Sequence, residues 1–227
     1  MSLLLQLMPL PLAPAHPAWL DAEERARLDG FADARRAAQF LAGHCLVRQL
    51  AAQFAGGEPG EWSLRVSVVG RRCLDHAGFP SLFISITHAQ SDVVVAVGTG
   101  ALGVDVEQAG TPRDWLALGR AMFSPEENEA LLAASEAARP ALFLQAWTLK
   151  EAWAKRSGRG LQRTQARRCS AQACDAAQAE AWTWPRPDGG SLALAAWPGA
   201  RLGALGVDGD PRGWRYAMAP VLIDRAG

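Results

Sequence analysis

The chain has 227 residues, with 23 Lys and Arg against 23 Asp and Glu; 49% are apolar and 20% charged. That globular composition excludes an intrinsically disordered chain, and zero net charge argues against a bulk nucleic-acid binder. The length suits one large domain or two of about 110 residues, and no apolar run reaches the roughly 18–20 residues of a membrane-spanning helix.

The first residues, MSLLLQLMPLPLAPAHP, superficially resemble a secretory leader with Ala13-Pro14-Ala15 as a cleavage-like triplet. They lack a basic start, and Pro9 and Pro11 interrupt the apolar stretch, so no leader is expected. Asp21-Ala22-Glu23-Glu24 reads as a capping box opening a short helix. A longer helix is expected from Ala32 to Phe54, ended by Gly56-Gly57. Trp62, Leu64, Val66 and Val68 alternate with polar residues, which is strand periodicity. Residues 82–87 and 93–97 read as two strands joined by a tight connection at residues 88–92, and a third runs from Leu102 to Glu107. Ser124-Pro125-Glu126-Glu127 combines an N-cap serine, a first-turn proline and a glutamate at the third position. Pro140 opens the next helix, which stops at Gly158-Arg159-Gly160. Strands return at residues 182–184, 191–197, 201–207 and 214–218.

Helices and strands are segregated and joined by hairpins, which argues an α+β fold. GALGVD occurs at Gly100–Asp105 and again at Gly203–Asp208. Two similar halves would explain the repeat; coincidence in an Ala/Gly/Val-rich chain would too. The second copy runs into Gly209-Asp210-Pro211, so Asp208 and Asp210 read as turn residues.

Cys45, Cys73, Cys169 and Cys174 show no metal-site spacing, which points to a reduced, cytoplasmic chain. Nearly all basic residues are arginine. The two lysines, Lys150 and Lys155, both lie in Trp147-Thr148-Leu149-Lys150-Glu151-Ala152-Trp153-Ala154-Lys155. On a helix Trp147, Glu151 and Lys155 share one face. Glu151 and Lys155 make either a surface ion pair or a metal-binding carboxylate beside a phosphate-binding ammonium. In Gly103-Val104-Asp105-Val106-Glu107, strand alternation puts both carboxylates on one face, either solvated or gathered round a hard cation such as Mg²⁺. Thr87-His88 ends a strand, where a histidine caps a turn or meets a ligand. Arg36 lies on a helix with Arg35 and Arg48, and alone says little.

Taken in order, Ser85-Ile86-Thr87-His88, then GVDVE, then WTLKEAWAKRSGRGL about forty residues on, the sequence resembles the 4′-phosphopantetheinyl transferases of the surfactin-synthetase-activating type. The resemblance covers roughly Leu20 to Leu161. It implies two pseudo-symmetric α+β halves, residues 1–108 and 109–227, with the active site between them. It also implies Mg²⁺-dependent transfer of the 4′-phosphopantetheine arm of coenzyme A to a serine of an apo acyl or peptidyl carrier protein, releasing adenosine 3′,5′-bisphosphate. This is holo-acyl-carrier-protein synthase activity. Asp105, Glu107 and Glu151 match the metal ligands, with Mn²⁺ as the alternative ion. Lys155 matches a phosphate-contacting lysine, Thr87 and His88 the coenzyme A contacts, and Arg36 an arginine near the 3′-phosphate. Glu151 or Glu127 matches the base, Glu127 alternatively as a water ligand. A cytoplasmic monomer without nucleic-acid or membrane partners is expected.

Two departures stand out. Family members usually carry Gly-Lys-Pro before the histidine strand, and Gly78-Phe79-Pro80 reads as its counterpart, so a phosphate-binding lysine is expected to be missing. Ala89 replaces a serine after His88. Both leave open a non-catalytic, carrier-binding relative. A metal-dependent nuclease is the further alternative. Lys150 is expected on the helix surface or in a partner contact, and Arg156, Arg159, Arg163, Arg167 and Arg168 on a carrier-docking rim.

Overall fold

The leader-like run is a strand. In the computed structural model, which describes residues 2–110 and 113–219, β1 spans Ser2–Pro9, and Leu3 and Leu5 are buried at alternate positions. There follow α1 (Ala22–Asp29), α2 (Ala34–Ala55), β2 (Ser63–Val66), β3 (Arg72–His76), β4 (Phe79–Ala89), β5 (Asp92–Gly98) and β6 (Gly103–Glu107). After these come α3 (Trp115–Met122), α4 (Pro125–Ala133), α5 (Arg139–Ser157), α6 (Arg163–Ala166), β7 (Cys169–Ala173), β8 (Ala181–Pro185), β9 (Ser191–Ala195), β10 (Arg201–Leu205) and β11 (Arg212–Met218). No described helix is long and apolar enough to cross a membrane.

Local chemistry explains the helix ends. The capping boxes at Asp21 and Ser124 both form, each with its third-position glutamate bonded back to the cap backbone. Asp33 starts α2 by accepting from the Arg36 N–H. Gly158 ends α5 in the left-handed conformation.

Two sheets result. The first runs β10-β1-β5-β4-β3-β2 and the second β6-β9-β8-β11-β7. Sheet membership crosses residue 108 in both directions: β6 pairs with β9, and β10 pairs with β1. β5 explains the layering, because it is buried along its whole length. Val93, Val95 and Val97 face α2, whereas Val94 and Ala96 face the second sheet, meeting Val104, Val106, Leu192 and Leu194. On the far face of the second sheet, Ala193 and Ala195 receive Leu149 and Ala152 of α5. The order is therefore helix, sheet, sheet, helix, an α+β fold in which each helix-and-hairpin unit supplies one outer and one inner layer.

The GALGVD copies are not equivalent in register. The first leads into β6, and the second ends β10, with Gly206 at positive φ in the loop that holds Asp208 and Asp210. Those two aspartates are loop residues, as turn chemistry predicted.

Candidate active site

The site forms where β6, the edge strand of the second sheet, passes between β4 and α5. An edge strand leaves backbone groups unpaired. Here Ser85 Oγ accepts from the Val104 N–H at 3.0 Å, and Lys155 Nζ donates to the Val104 carbonyl at 3.0 Å. Gly103 is required because a Cβ there would collide with the Ala152 carbonyl of α5. That close approach carries Asp105 and Glu107 to the helix face that presents Trp147, Glu151 and Lys155.

The i,i+4 surface pair between Glu151 and Lys155 does not form. Lys155 instead bonds Asp105 Oδ1 at 2.7 Å, and Thr87 Oγ1 donates to the same oxygen at 3.2 Å. Asp105 Oδ2 is buried without a hydrogen-bond partner. Burial pushes the Asp105 carboxyl up, and the Lys155 ammonium opposes it. Glu107 and Glu151 are also raised, first by burial and then by the negative charge of Asp105. Three carboxylates thus repel one another around an unpaired oxygen, a donor set that suits a hard divalent cation. Among the described residues, no three His, Cys, Asp or Glu side chains are gathered to hold a metal as they stand. The residues therefore fit such an ion in the chemistry of their donors but are not drawn in around one, and Lys155 supplies the positive charge beside Asp105.

Beside this cluster opens a cavity of about 450 Å³, walled by Arg27, Arg36, Arg72, His88 and Lys155. Arg27, Arg36 and Arg72 form no salt bridge to a described carboxylate. Burial and then the charge of Arg27 lower the Arg72 guanidinium, while burial, Lys155 and Arg36 lower His88. Cations crowded together without counterions make a polyanion site. Phe40 gives it an aromatic wall, with the Arg27 guanidinium 5.5 Å from its ring and His44 stacked on it at 4.0 Å. The fold therefore brings together Arg36, Thr87, His88, Asp105, Glu107, Glu151 and Lys155.

Arg27 and Arg72 were missed from sequence. An arginine carries no local signal in an arginine-rich chain, although Gly70-Arg71-Arg72 after a strand offered one. Phe79, expected to replace a phosphate-binding lysine, is not there. It starts β4, nine residues and about 30 Å of extended chain before His88. Its ring stacks on Trp62 and packs against His76 and the Gly56-Gly57 turn. The cationic position next to the cavity belongs to Arg72, paired with Ile84 midway along β4.

Two further expectations are revised by placement. Lys150 is not on the surface; it is 2% exposed and ion-paired with Glu127 at 2.7 Å. Glu127 is accordingly engaged by Lys150 and by the capping box of α4, on a different flank of α5 from Glu151. Of the arginines after the motif, Arg156 turns inward to Glu180 at 3.0 Å, Arg168 bonds the Ala219 carbonyl, and Arg159, Arg163 and Arg167 are exposed.

Residues 101–187 match the family model described as the 4′-phosphopantetheinyl transferase superfamily. The 4′-phosphopantetheinyl transferase HetI of Nostoc sp. (strain PCC 7120) is 29% identical over 146 residues, 63% of this chain and 62% of that one. A 4′-phosphopantetheinyl transferase of Bacillus subtilis is likewise 29% identical over 146 residues, 63% of this chain and 62% of the relative. The 4′-phosphopantetheinyl transferase Sfp of Bacillus subtilis (strain 168) is 24% identical over 144 residues, again 63% and 62%. The chain thus matches 62% of the length of these relatives. The superfamily match covers GVDVE and WTLKEAWAK, the motifs that build the carboxylate cluster, and over about three fifths of its length the chain is similar to these 4′-phosphopantetheinyl transferases.

Proposed function

We propose that the chain is a 4′-phosphopantetheinyl transferase, moving the phosphopantetheine arm of coenzyme A to a serine of an apo acyl or peptidyl carrier protein. The observation that carries this reading is the junction of two chemistries. A cavity with unpaired arginines abuts three carboxylates, Asp105 buried and Glu107 and Glu151 half-buried, as a substrate with a 3′-phosphate and a reacting pyrophosphate requires.

Arg27, Arg36, Arg72 and His88 would hold the phosphates of coenzyme A and orient the pyrophosphate toward Asp105. Asp105, Glu107 and Glu151 would hold Mg²⁺ or Mn²⁺, whose chemistry when bound is to neutralise the pyrophosphate and the departing bisphosphate. Thr87 and Lys155 fix the Asp105 carboxylate, and Lys155 supplies positive charge at the same place. The carrier serine oxygen attacks the phosphorus that bears the pantetheine arm. The bond from that phosphorus to the bridging oxygen breaks, and adenosine 3′,5′-bisphosphate leaves. Glu151 takes the serine proton, directly or through a water. Glu127 is a weaker candidate for the base because its carboxylate is held by Lys150.

The test is the intact mass of a panel of apo carrier proteins incubated with coenzyme A, with Mg²⁺ or with excess chelator. The expected result is a gain of one phosphopantetheine arm with metal only. Coenzyme A binding and carrier capture without mass gain would identify a non-catalytic carrier-binding relative. Phe79 packs against Trp62 and His76 away from the cavity and so does not favour that alternative. Metal-dependent cleavage of DNA without carrier modification would point to a nuclease.

A further inference from the structure

Lys150 is one of the two lysines in the chain, yet it has no place in the proposed chemistry. Its ammonium is 2% exposed and meets three acceptors: the Glu127 carboxylate at 2.7 Å, the Ala166 carbonyl at 2.7 Å and the Cys169 carbonyl. An ammonium has three protons, so these partners use them all and leave none for a substrate. The Phe123 ring, 5.6 Å away, adds an aromatic neighbour. The acceptors come from α4, α6 and the start of β7, so one side chain ties three elements to α5 next to Glu151.

Two of these acceptors bracket the end of the segment between α5 and β7. Its other end lines the cation-rich cavity through Gly158 and Gly160, and Arg159, Arg163 and Arg167 lie exposed between. Gly158 also sits so close to the Val69 carbonyl that a Cβ would collide with it, which couples the segment to the loop carrying Gly70. Besides Lys150, the bonds that tie the segment to other elements among the described residues are Arg163 to the Ala121 carbonyl at 3.1 Å and the Arg168 side chain and carbonyl to Ala219, with Arg159 N–H donating locally to Ser157 Oγ. Arginine in place of Lys150 would bring a planar fork with donors in one plane, unlike the three directions of an ammonium.

We infer that Lys150 is a positioning residue that pins segment 158–168, and through it the Gly158–Gly160 wall of the cavity, without touching substrate. Only the kinetic part of this inference rests on the proposed transfer reaction.

Trypsin tests the pin directly, because the segment is rich in arginine. In Lys150→Met, cleavage after Arg159, Arg163 and Arg167 should accelerate about tenfold relative to the unaltered chain, as a lost charged hydrogen-bond set raises local opening. Cleavage after the exposed Arg201 on β10 should stay as it was. If Lys150→Met fails to fold, Glu127→Gln removes the charge of one partner only and should give the same selective cleavage at smaller amplitude. Lys150→Arg should leave the segment open, since shape and not charge alone is needed. In transfer assays Lys150→Met should raise KM for coenzyme A more than it lowers kcat.

An unchanged cleavage pattern in both Lys150→Met and Glu127→Gln would overturn the inference. So would rescue of the segment by Lys150→Arg, or a loss of kcat with KM unmoved. If the unaltered chain transfers no phosphopantetheine at all, the reaction reading fails while the proteolysis still decides whether Lys150 pins the segment.

Discussion

Two charged clusters, each with a buried carboxylate, flank the cation-rich cavity, and they are built to opposite ends. Behind it, Glu24 of α1 meets His44 Nδ1 at 2.5 Å and Arg48 Nη2 at 2.6 Å, and also accepts from the Asp21 N–H at 2.9 Å. Arg48 completes its own set on the Trp62 and His44 carbonyls. Burial pushes the Glu24 carboxyl up, but the bonds from His44 and Arg48 outweigh it and hold it at about 2. In front, Asp105, Glu107 and Glu151 are all raised, and Asp105 Oδ2 has no partner. A satisfied buried charge network fixes structure; an unsatisfied one stores the electrostatic work that a ligand can relieve. The contrast assigns stability to the first cluster and chemistry to the second.

Breaking the second cluster should have the largest effect on function and a small one on folding. Asp105→Ala removes the charge that raises Glu107 and Glu151, so it relieves repulsion while it deletes a metal ligand. Transfer activity should fall by about 10³-fold or more, the scale of losing a positioned electrostatic group. The unfolding midpoint should stay close to that of the unaltered chain. A large drop in that midpoint would show that Asp105 is a structural ion pair with Lys155.

Breaking the first cluster should do the reverse. Glu24→Gln leaves Arg48 buried without a countercharge and should cost about 3 kcal/mol in urea unfolding at neutral pH. The pH dependence follows from the direction of the shift. The folded Glu24 carboxyl titrates at about 2, below its ordinary 4.5. Its contribution is therefore complete above 4.5 and is lost as pH falls from 4.5 toward 2, amounting to about 3 kcal/mol. The stability gap between Glu24→Gln and the unaltered chain should close over that window. A gap independent of pH would mean that the cluster acts through packing and not through charge.

How much of either cluster could be read from the residues alone depended on whether the information was local. Both capping boxes were legible, because a cap and its third-position glutamate are neighbours in sequence. Strand alternation correctly put Asp105 and Glu107 on one face, away from Val104 and Val106. The second role of Glu24 was not legible, since it needs α1 folded onto α2. β1 was hidden by its prolines, and β3 and β7 by short, mixed stretches whose strand character comes from neighbours in the sheet. Helical spacing set Lys155 on the face of Trp147 and Glu151 and Lys150 off it, but could not tell that the flank of Lys150 is covered. Only the packing of α6 and β7 against one flank of α5 buries Lys150 and leaves Lys155 beside the cavity.

The cavity between the clusters offers a sharper test of which arginines matter. Arg72→Ser should raise KM for coenzyme A about tenfold, the loss of one charge-assisted phosphate contact in a partly dry site. Phe79→Lys should leave that KM unchanged, because Phe79 packs with Trp62 and His76 at the far end of β4. A lowered KM in Phe79→Lys would restore the reading of Phe79 as a missing phosphate ligand.

The smallest expected effect belongs to the exposed rim. Arg163 and Arg167 are exposed with no described carboxylate partner, Arg163 bonding only the Ala121 carbonyl, so each meets an approaching carrier through screened Coulomb forces. Such charges change association more than the bound state. Replacing both with Ser should raise the carrier KM only about two- to fivefold at low salt, in keeping with less than about 1 kcal/mol for surface charges. The coenzyme A KM should move less than the carrier KM, because neither side chain lines the cavity and Lys150 still holds the segment when the Arg163 bond to the Ala121 carbonyl is lost. The distinguishing observation is the salt series. The unaltered chain should lose carrier affinity as salt rises from 50 mM to 0.5 M (roughly a threefold shortening of the Debye length), and the double variant should show a flatter line that meets it at high salt. Parallel lines at all salt concentrations would place the carrier elsewhere on the surface and leave these arginines as solvated side chains.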